Sequence, residues 1–222
     1  MAGTGLKGGL LQRIVNGLTA ALAALCLFLG QVSDAAAVPT RVLMLGDSLT
    51  AGFGLPVADS LPAQLEAALK RQGLDIAILN GGVSGDTTAG GLARLDWALA
   101  DNPAFALVAL GANDALRGLS PEKAFENLDV IITKLKAKGV KVMVLGMVAP
   151  PNLGRDYGDR FAGIFPRLAE KHRVPLYPFL LDGVALDPKL NQADGIHPNA
   201  DGVKIIVGRI APLVKRLLEA PG

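Results

Sequence analysis

The sequence predicts an α/β fold in three layers, α/β/α, built on one parallel sheet of five strands. Three observations predict it. Five short apolar runs alternate with segments of helical spacing between residues 41 and 218. The runs are continuously apolar through their centres rather than alternating, as in strands covered on both faces. Polar, glycine-rich loops follow the first three runs directly, and in such sheets ligands sit outside the carboxyl ends of the strands.

The elements follow in order. "RVLMLG" (41–46) is the first strand. "SLPAQLEAALKRQG" (60–73) is a helix with Ser60 as its cap and Gly73 as its stop. "DIAILN" (75–80) is the second strand, and "GLARLDWALADN" (91–102) is helical again. "FALVALG" (105–111) is the third strand. "SPEKAFENLDVIITKLKAKG" (120–139) places Ser120 and Pro121 in cap and first-turn positions and ends at Gly139. "KVMVLGMV" (141–148) is the fourth strand. A helix over about 156–171 precedes the fifth, "VPLYPF" (174–179), and a last helix covers about 199–218. No repeat and no low-complexity linker interrupts the chain after residue 38. The pattern is one domain, residues 38–222.

Half of the 222 residues are hydrophobic and 19% are charged, enough for one well-buried core. The net charge is +2, and the two signs are mixed along the chain. No basic stripe for nucleic acid is present. The first 37 residues differ from the rest. Lys7 and Arg13 precede an uncharged stretch, 14–33, and small residues stand at Ala35 and Ala37. A basic start, an apolar middle and an A-x-A end describe a secretory signal peptide cut between Ala37 and Val38. The product would be periplasmic or secreted, with no stable membrane span. An uncleaved anchor is the competing reading, since 20 uncharged residues are long enough to span. Asn16, Gly17, Gln31 and Ser33 weaken that span. Cys26, the single cysteine, lies inside this segment. The mature chain then has no disulfide, thiolate metal site or cysteine nucleophile.

Two histidines are available for general-base work, His172 and His197. His172, in "AEKHRVP", reads as a solvated residue near a helix C-terminus. His197, in "ADGIHPN", precedes Pro198, which biases it towards a defined extended or turn geometry. Asp194 stands three residues earlier, where a tight turn brings its carboxylate to the imidazole. There it would fix the tautomer and stabilise the imidazolium. A plain surface turn fits the same spacing. Ser48 closes the first strand, on the rim that the histidine loop would share. It is either a nucleophile activated by a base or a helix N-cap. Acyl transfer also needs oxyanion donors. Candidates are the backbone N–H groups of Ser48 and Gly85 and the side-chain amide of Asn113; Asn113 also reads as a turn residue. Other chemistries fit less well. G-x-S-x-G is absent, "GGVSG" lacks the G-x-G-x-x-G spacing of a dinucleotide site, and neither the Walker pattern nor H-E-x-x-H is present. No metal and no cofactor are expected.

"GDSLTAGFG", "SGDT", "GANDAL" and "DGIHPN" together resemble the four signature blocks of the GDSL, or SGNH, hydrolases. The blocks stand in order and cover almost the whole mature chain. "NGGVSGDTTAGGLARL", "PPNLG" and "VPLYPFLLDGV" further resemble the bacterial periplasmic subgroup of thioesterase I, protease I or lysophospholipase L1 and related arylesterases. The resemblance implies a flavodoxin-like sheet and serine catalysis on acyl esters and thioesters. It implies Ser48 as nucleophile, His197 as base and Asp194 as the triad acid. Ser48, Gly85 and Asn113 would form the oxyanion hole. Asp47, Asp86 and Asp114 read as loop supports. The loops "APPNLGRDY" (149–157) and "FLLDGVAL" (179–186) carry apolar residues for an acyl chain. The expected partner is a small acyl ester or thioester, and a monomer is expected. Rival readings are a carbohydrate acetylesterase of the same family, an acyltransferase variant, and a catalytically silent binding protein. Low aromatic content, 5% with one Trp, offers few sugar-stacking platforms.

Overall fold

The computed structural model describes residues 38–220. The expected leader, residues 1–37, lies outside them. The five strands are β1 (Thr40–Gly46), β2 (Ile76–Gly82), β3 (Phe105–Ala109), β4 (Lys141–Leu145) and β5 (Leu176–Tyr177). All pair in parallel, in the order β2-β1-β3-β4-β5. This is the flavodoxin-like order. The chain leaves β1 towards one edge and returns to place β3 on its other side. Such a switch point opens a crevice beyond the carboxyl ends of β1 and β3.

Nine α-helices fill the connections among the described residues. They are α1 (Ser48–Ala51), α2 (Leu61–Arg71), α3 (Thr88–Ala93), α4 (Leu95–Ala98), α5 (Ala112–Leu116), α6 (Pro121–Ala137), α7 (Arg155–Ala162), α8 (Ile164–His172) and α9 (Ala200–Glu219). α2 packs on α9, and α6 packs on α3 and α8, which gives a helical layer on each face of the sheet. α9 shows why. Asn199 caps it, its Oδ1 accepting the N–H groups of Asp201 and Gly202 at 3.0 Å. Val203, Ile206, Val207, Ile210 and Val214 then form one buried stripe at helical spacing. No helix among the described residues is long and apolar enough to cross a membrane.

The structure corrects several boundaries. The central strands β1, β3 and β4 are buried over their last four or five residues, but β2 is only partly covered and β5 is two residues long. Both are sheet edges, and only interior strands are flanked by neighbours on each side. The helix expected at 91–102 begins earlier, at Thr88, where Thr87 Oγ1 accepts the Gly90 N–H. It breaks at Arg94 (φ −102°, ψ 7°) into α3 and α4. The helix expected at 156–171 is likewise two, α7 and α8, separated by Gly163. Ser60 does not cap α2 with its side chain; its hydroxyl donates to the Val57 carbonyl at 2.7 Å. Ser120 does cap α6, accepting the Lys123 N–H at 3.2 Å.

Candidate active site

The turn after β1 is organised by Asp47. This residue, not Ser48, is the N-cap of α1, its Oδ1 accepting the Leu49 N–H at 3.0 Å. The capping alternative for Ser48 therefore falls away. Ser48 occupies the first helical position, with its hydroxyl free to point elsewhere. α1 sits hard against the end of β2: a Cβ on Gly82 would lie 2.2 Å from the Ala51 amide nitrogen. Only glycine allows that approach.

The second half of the site is the turn 192–197. Gln192 N–H donates to the His197 carbonyl at 2.7 Å, and Asn191 bridges Pro198. Inside this turn Asp194 Oδ1 accepts two backbone N–H groups, from Ile196 and His197, each at 3.0 Å. Its Oδ2 lies 2.6 Å from His197 Nδ1. That partner and those two amides hold the carboxyl down at about 2. Asp194 is therefore ionised throughout the neutral range and demands a proton on Nδ1. Nε2 is left as the acceptor, and Ser48 Oγ stands 2.8 Å from it. The turn that the spacing of Asp194 and His197 left open is thus a chain of hydrogen bonds ending on Ser48.

Two residues that sequence reasoning missed lock the halves together. Gln192 Nε2 donates to the Phe53 carbonyl at 2.8 Å and to that of Pro198 at 3.0 Å. The Phe53 ring lies over His197, with centroids 4.6 Å apart. A glutamine 139 positions away from its acceptor leaves no local signal.

Asn113 is the second residue of α5, beyond the carboxyl end of β3, and borders the same cavity as Ser48 and His197. Its Nδ2 is 3.4 Å from Asp47 Oδ2. Gly85 is the third residue of a turn closed by Asp86 N–H donating to the Val83 carbonyl at 3.1 Å. Its φ of 84° marks a type II turn, which needs glycine there. Among the described residues, neither Gly85 N–H nor Ser48 N–H donates to a protein acceptor. The supporting aspartates act as expected. Asp86 pairs with Arg94 at 2.5 Å, and buried Asp114 accepts both the N–H and the hydroxyl of Thr88. His172 departs from expectation: it is not solvated but packed against Asp129, with Nε2 to Oδ1 at 2.7 Å.

Burial pushes the Asp47 carboxyl up to about 6 from its ordinary 3.8, against the opposing pull of the Leu49 N–H, His197 and Asn113. The folded chain thus holds a proton that the unfolded chain releases. Stability attributable to this group falls as pH rises from about 4 to 6, and the loss, about 3 kcal/mol, is complete above that window. Asp47→Asn abolishes this titration. Urea unfolding of both proteins from pH 4 to 7 should show the wild type losing that much relative to the variant; parallel profiles would contradict the assignment.

A cavity of about 280 Å³ opens beside Ser48 and His197. Its walls are mostly apolar and come from both loops expected to carry acyl contacts, with Ala149 and Pro150 from one, Phe179, Leu181 and Leu186 from the other. A family model described as the GDSL-like Lipase/Acylhydrolase family matches residues 44–205. The chain belongs to this family. An arylesterase of Vibrio mimicus is 41% identical over 188 residues, 84% of this chain and 94% of its own. Thioesterase 1/protease 1/lysophospholipase L1 of Escherichia coli is 37% identical over 194 residues, 87% and 92% of the two chains. Among solved structures, AlinE4, an SGNH-hydrolase family esterase, is 46% identical with a TM-score of 0.69. The match covers 82% of this GDSL-family chain and 98% of that one.

Proposed function

We propose that this protein is an exported serine hydrolase that cleaves carboxylic esters and thioesters through an acyl-enzyme on Ser48. One observation carries the reading: the hydrogen-bonded series Asp194–His197–Ser48, at 2.6 and 2.8 Å, ends on the wall of an apolar cavity. Ser48 Oγ attacks the acyl carbonyl as His197 Nε2 takes its proton. Asp194 holds the imidazole and stabilises its cation. Ser48 N–H, Gly85 N–H and the Asn113 amide receive the oxyanion. His197 then returns the proton to the leaving alcohol or thiol, and water, activated by the same imidazole, releases the acid. Residues 1–37 act as a signal peptide cut after Ala37, which delivers the domain 38–222 to the periplasm or outside the cell.

The apolar cavity favours acyl chains over the acetyl groups of a carbohydrate acetylesterase. Each buried methylene contributes up to about 0.8 kcal/mol, or about fourfold. On p-nitrophenyl esters from acetate to palmitate, kcat/KM should climb two- to fourfold per methylene, about that ceiling or half of it, and then level once the cavity is full. Palmitoyl-CoA should be cleaved in parallel. A steady fall from acetate onwards would favour the acetylesterase. A p-nitrophenyl phosphonate should add one phosphonyl mass, mapped to Ser48. A folded protein that turns over no ester and takes no phosphonate would be the silent binding protein instead.

A further inference from the structure

Three donors for one oxyanion come from three separate segments, and the backbone ladder reaches only the first residue of the Gly85 turn, where the Val83 N–H donates to the Gly46 carbonyl at 3.1 Å. Two arginines join these segments. Arg94, at the break between α3 and α4, reaches back to the end of β1, where its Nη2 donates to the Gly46 carbonyl at 2.8 Å. Its Nε donates to Asp86 Oδ2 at 2.5 Å. One planar guanidinium therefore links the turn that carries Ser48 to the turn that carries Gly85. Both partners of this pair are largely buried, each side chain 17% exposed. The third nitrogen, Nη1, is buried with no protein partner. Arg117, just beyond α5, donates from Nη2 to the Gly85 carbonyl at 2.7 Å. It links that turn to the helix that carries Asn113.

These contacts flank the peptide that carries the Gly85 N–H. In a type II turn the central peptide, Ser84–Gly85, is reversed relative to a type I turn. The same four residues can therefore present this N–H towards Ser48 or away from it. Arg117 grips the carbonyl of the following peptide, and Arg94 grips the side chain one residue further on.

We propose that Arg94 and Arg117 are positioning residues that hold the Gly85 amide in line with the Ser48 amide and Asn113. They touch no substrate; they set where the oxyanion donors meet. This rests on the serine-hydrolase reading above. Arg94→Lys keeps the charge but cannot reach Gly46 and Asp86 with a fork. A misalignment of order 1 Å costs about 100-fold, so Arg94→Lys should lower kcat on p-nitrophenyl butyrate by about 10- to 100-fold, with KM within about twofold.

The assay normalises rates to competent sites, counted by end-point phosphonate titration, so a misfolded fraction does not count as a catalytic loss. Arg117→Met, at the exposed partner, should lower kcat about three- to tenfold, with wild-type thermal unfolding. The decisive arm combines Arg94→Lys with Asn113→Ala. If Arg94 acts by aligning the donors, the double variant loses less than the product of the single losses. Multiplicative losses, a kcat deficit that disappears on normalisation, or a change confined to KM would overturn the proposal. If wild type itself is inactive in this assay, the ester-hydrolase reading fails rather than the alignment by arginine.

Discussion

Ser48→Ala and His197→Ala should each lower kcat on an aryl ester by about 10⁴- to 10⁶-fold, with the double variant no slower than either single one. The reason lies in the geometry. Ser48 Oγ and His197 Nε2 stand 2.8 Å apart, and in the proposed mechanism both act on one proton. Removing either member leaves the other with nothing to do. A residual rate above that in water is expected, because the oxyanion donors and the cavity remain. KM should change little, since Ser48 lines the cavity without closing it. Asp194→Asn should cost about 10⁴-fold by a different route. The amide keeps the shape of the turn but no longer requires a proton on Nδ1. His197 then carries its proton on Nε2, which faces Ser48 as a donor and cannot accept the hydroxyl proton. Single-turnover rates with p-nitrophenyl butyrate and circular dichroism on each variant provide the check. A Ser48→Ala protein within tenfold of wild type would remove Ser48 from the chemistry.

Much of this was legible in the sequence, for a physical reason. Buried parallel strands are continuously apolar through their centres, so β1, β3 and β4 announce themselves. The loops that follow them are polar because they line a crevice rather than a core. Asp194 and His197 are three residues apart, and a single turn brings them together. The rest depends on contacts between segments remote in the chain. Asp47 and Asn113 meet across 66 positions, and Arg94 and Gly46 across 48. An arginine inside "GLARLDWALADN" looks like a solvated helix residue, yet its side chain is mostly buried and the helix breaks at that point. His172 was misread for the same reason: its partner, Asp129, comes from α6, 43 positions away. The two edge strands were read as fully buried because composition does not tell an edge from a centre.

The oxyanion site yields the second large effect. Asn113→Ala should lower kcat by about 10²- to 10³-fold while leaving KM nearly unchanged, because its amide is needed most when negative charge develops on the carbonyl oxygen. The amide's orientation follows from Asp47. An ionised carboxylate only accepts, so it selects the NH₂ side of Asn113. One of the two hydrogens faces Asp47 Oδ2 at a long 3.4 Å, and the other is free for the oxyanion. The reach to Asp47 is loose enough to yield when a stronger acceptor forms. Asn113→Asp separates this role from simple packing. It has nearly the same shape as asparagine, yet it puts a second carboxylate beside Asp47 and aims negative charge at the oxyanion. Its kcat should fall below that of Asn113→Ala. Were bulk alone important, the order would reverse, with aspartate near wild type and alanine worst. Steady-state kinetics of both variants at pH 8, above the point where Asp47 loses its proton, decide between the two orders. If Asn113→Ala stays within threefold of wild type, the backbone amides of Ser48 and Gly85 carry the oxyanion by themselves.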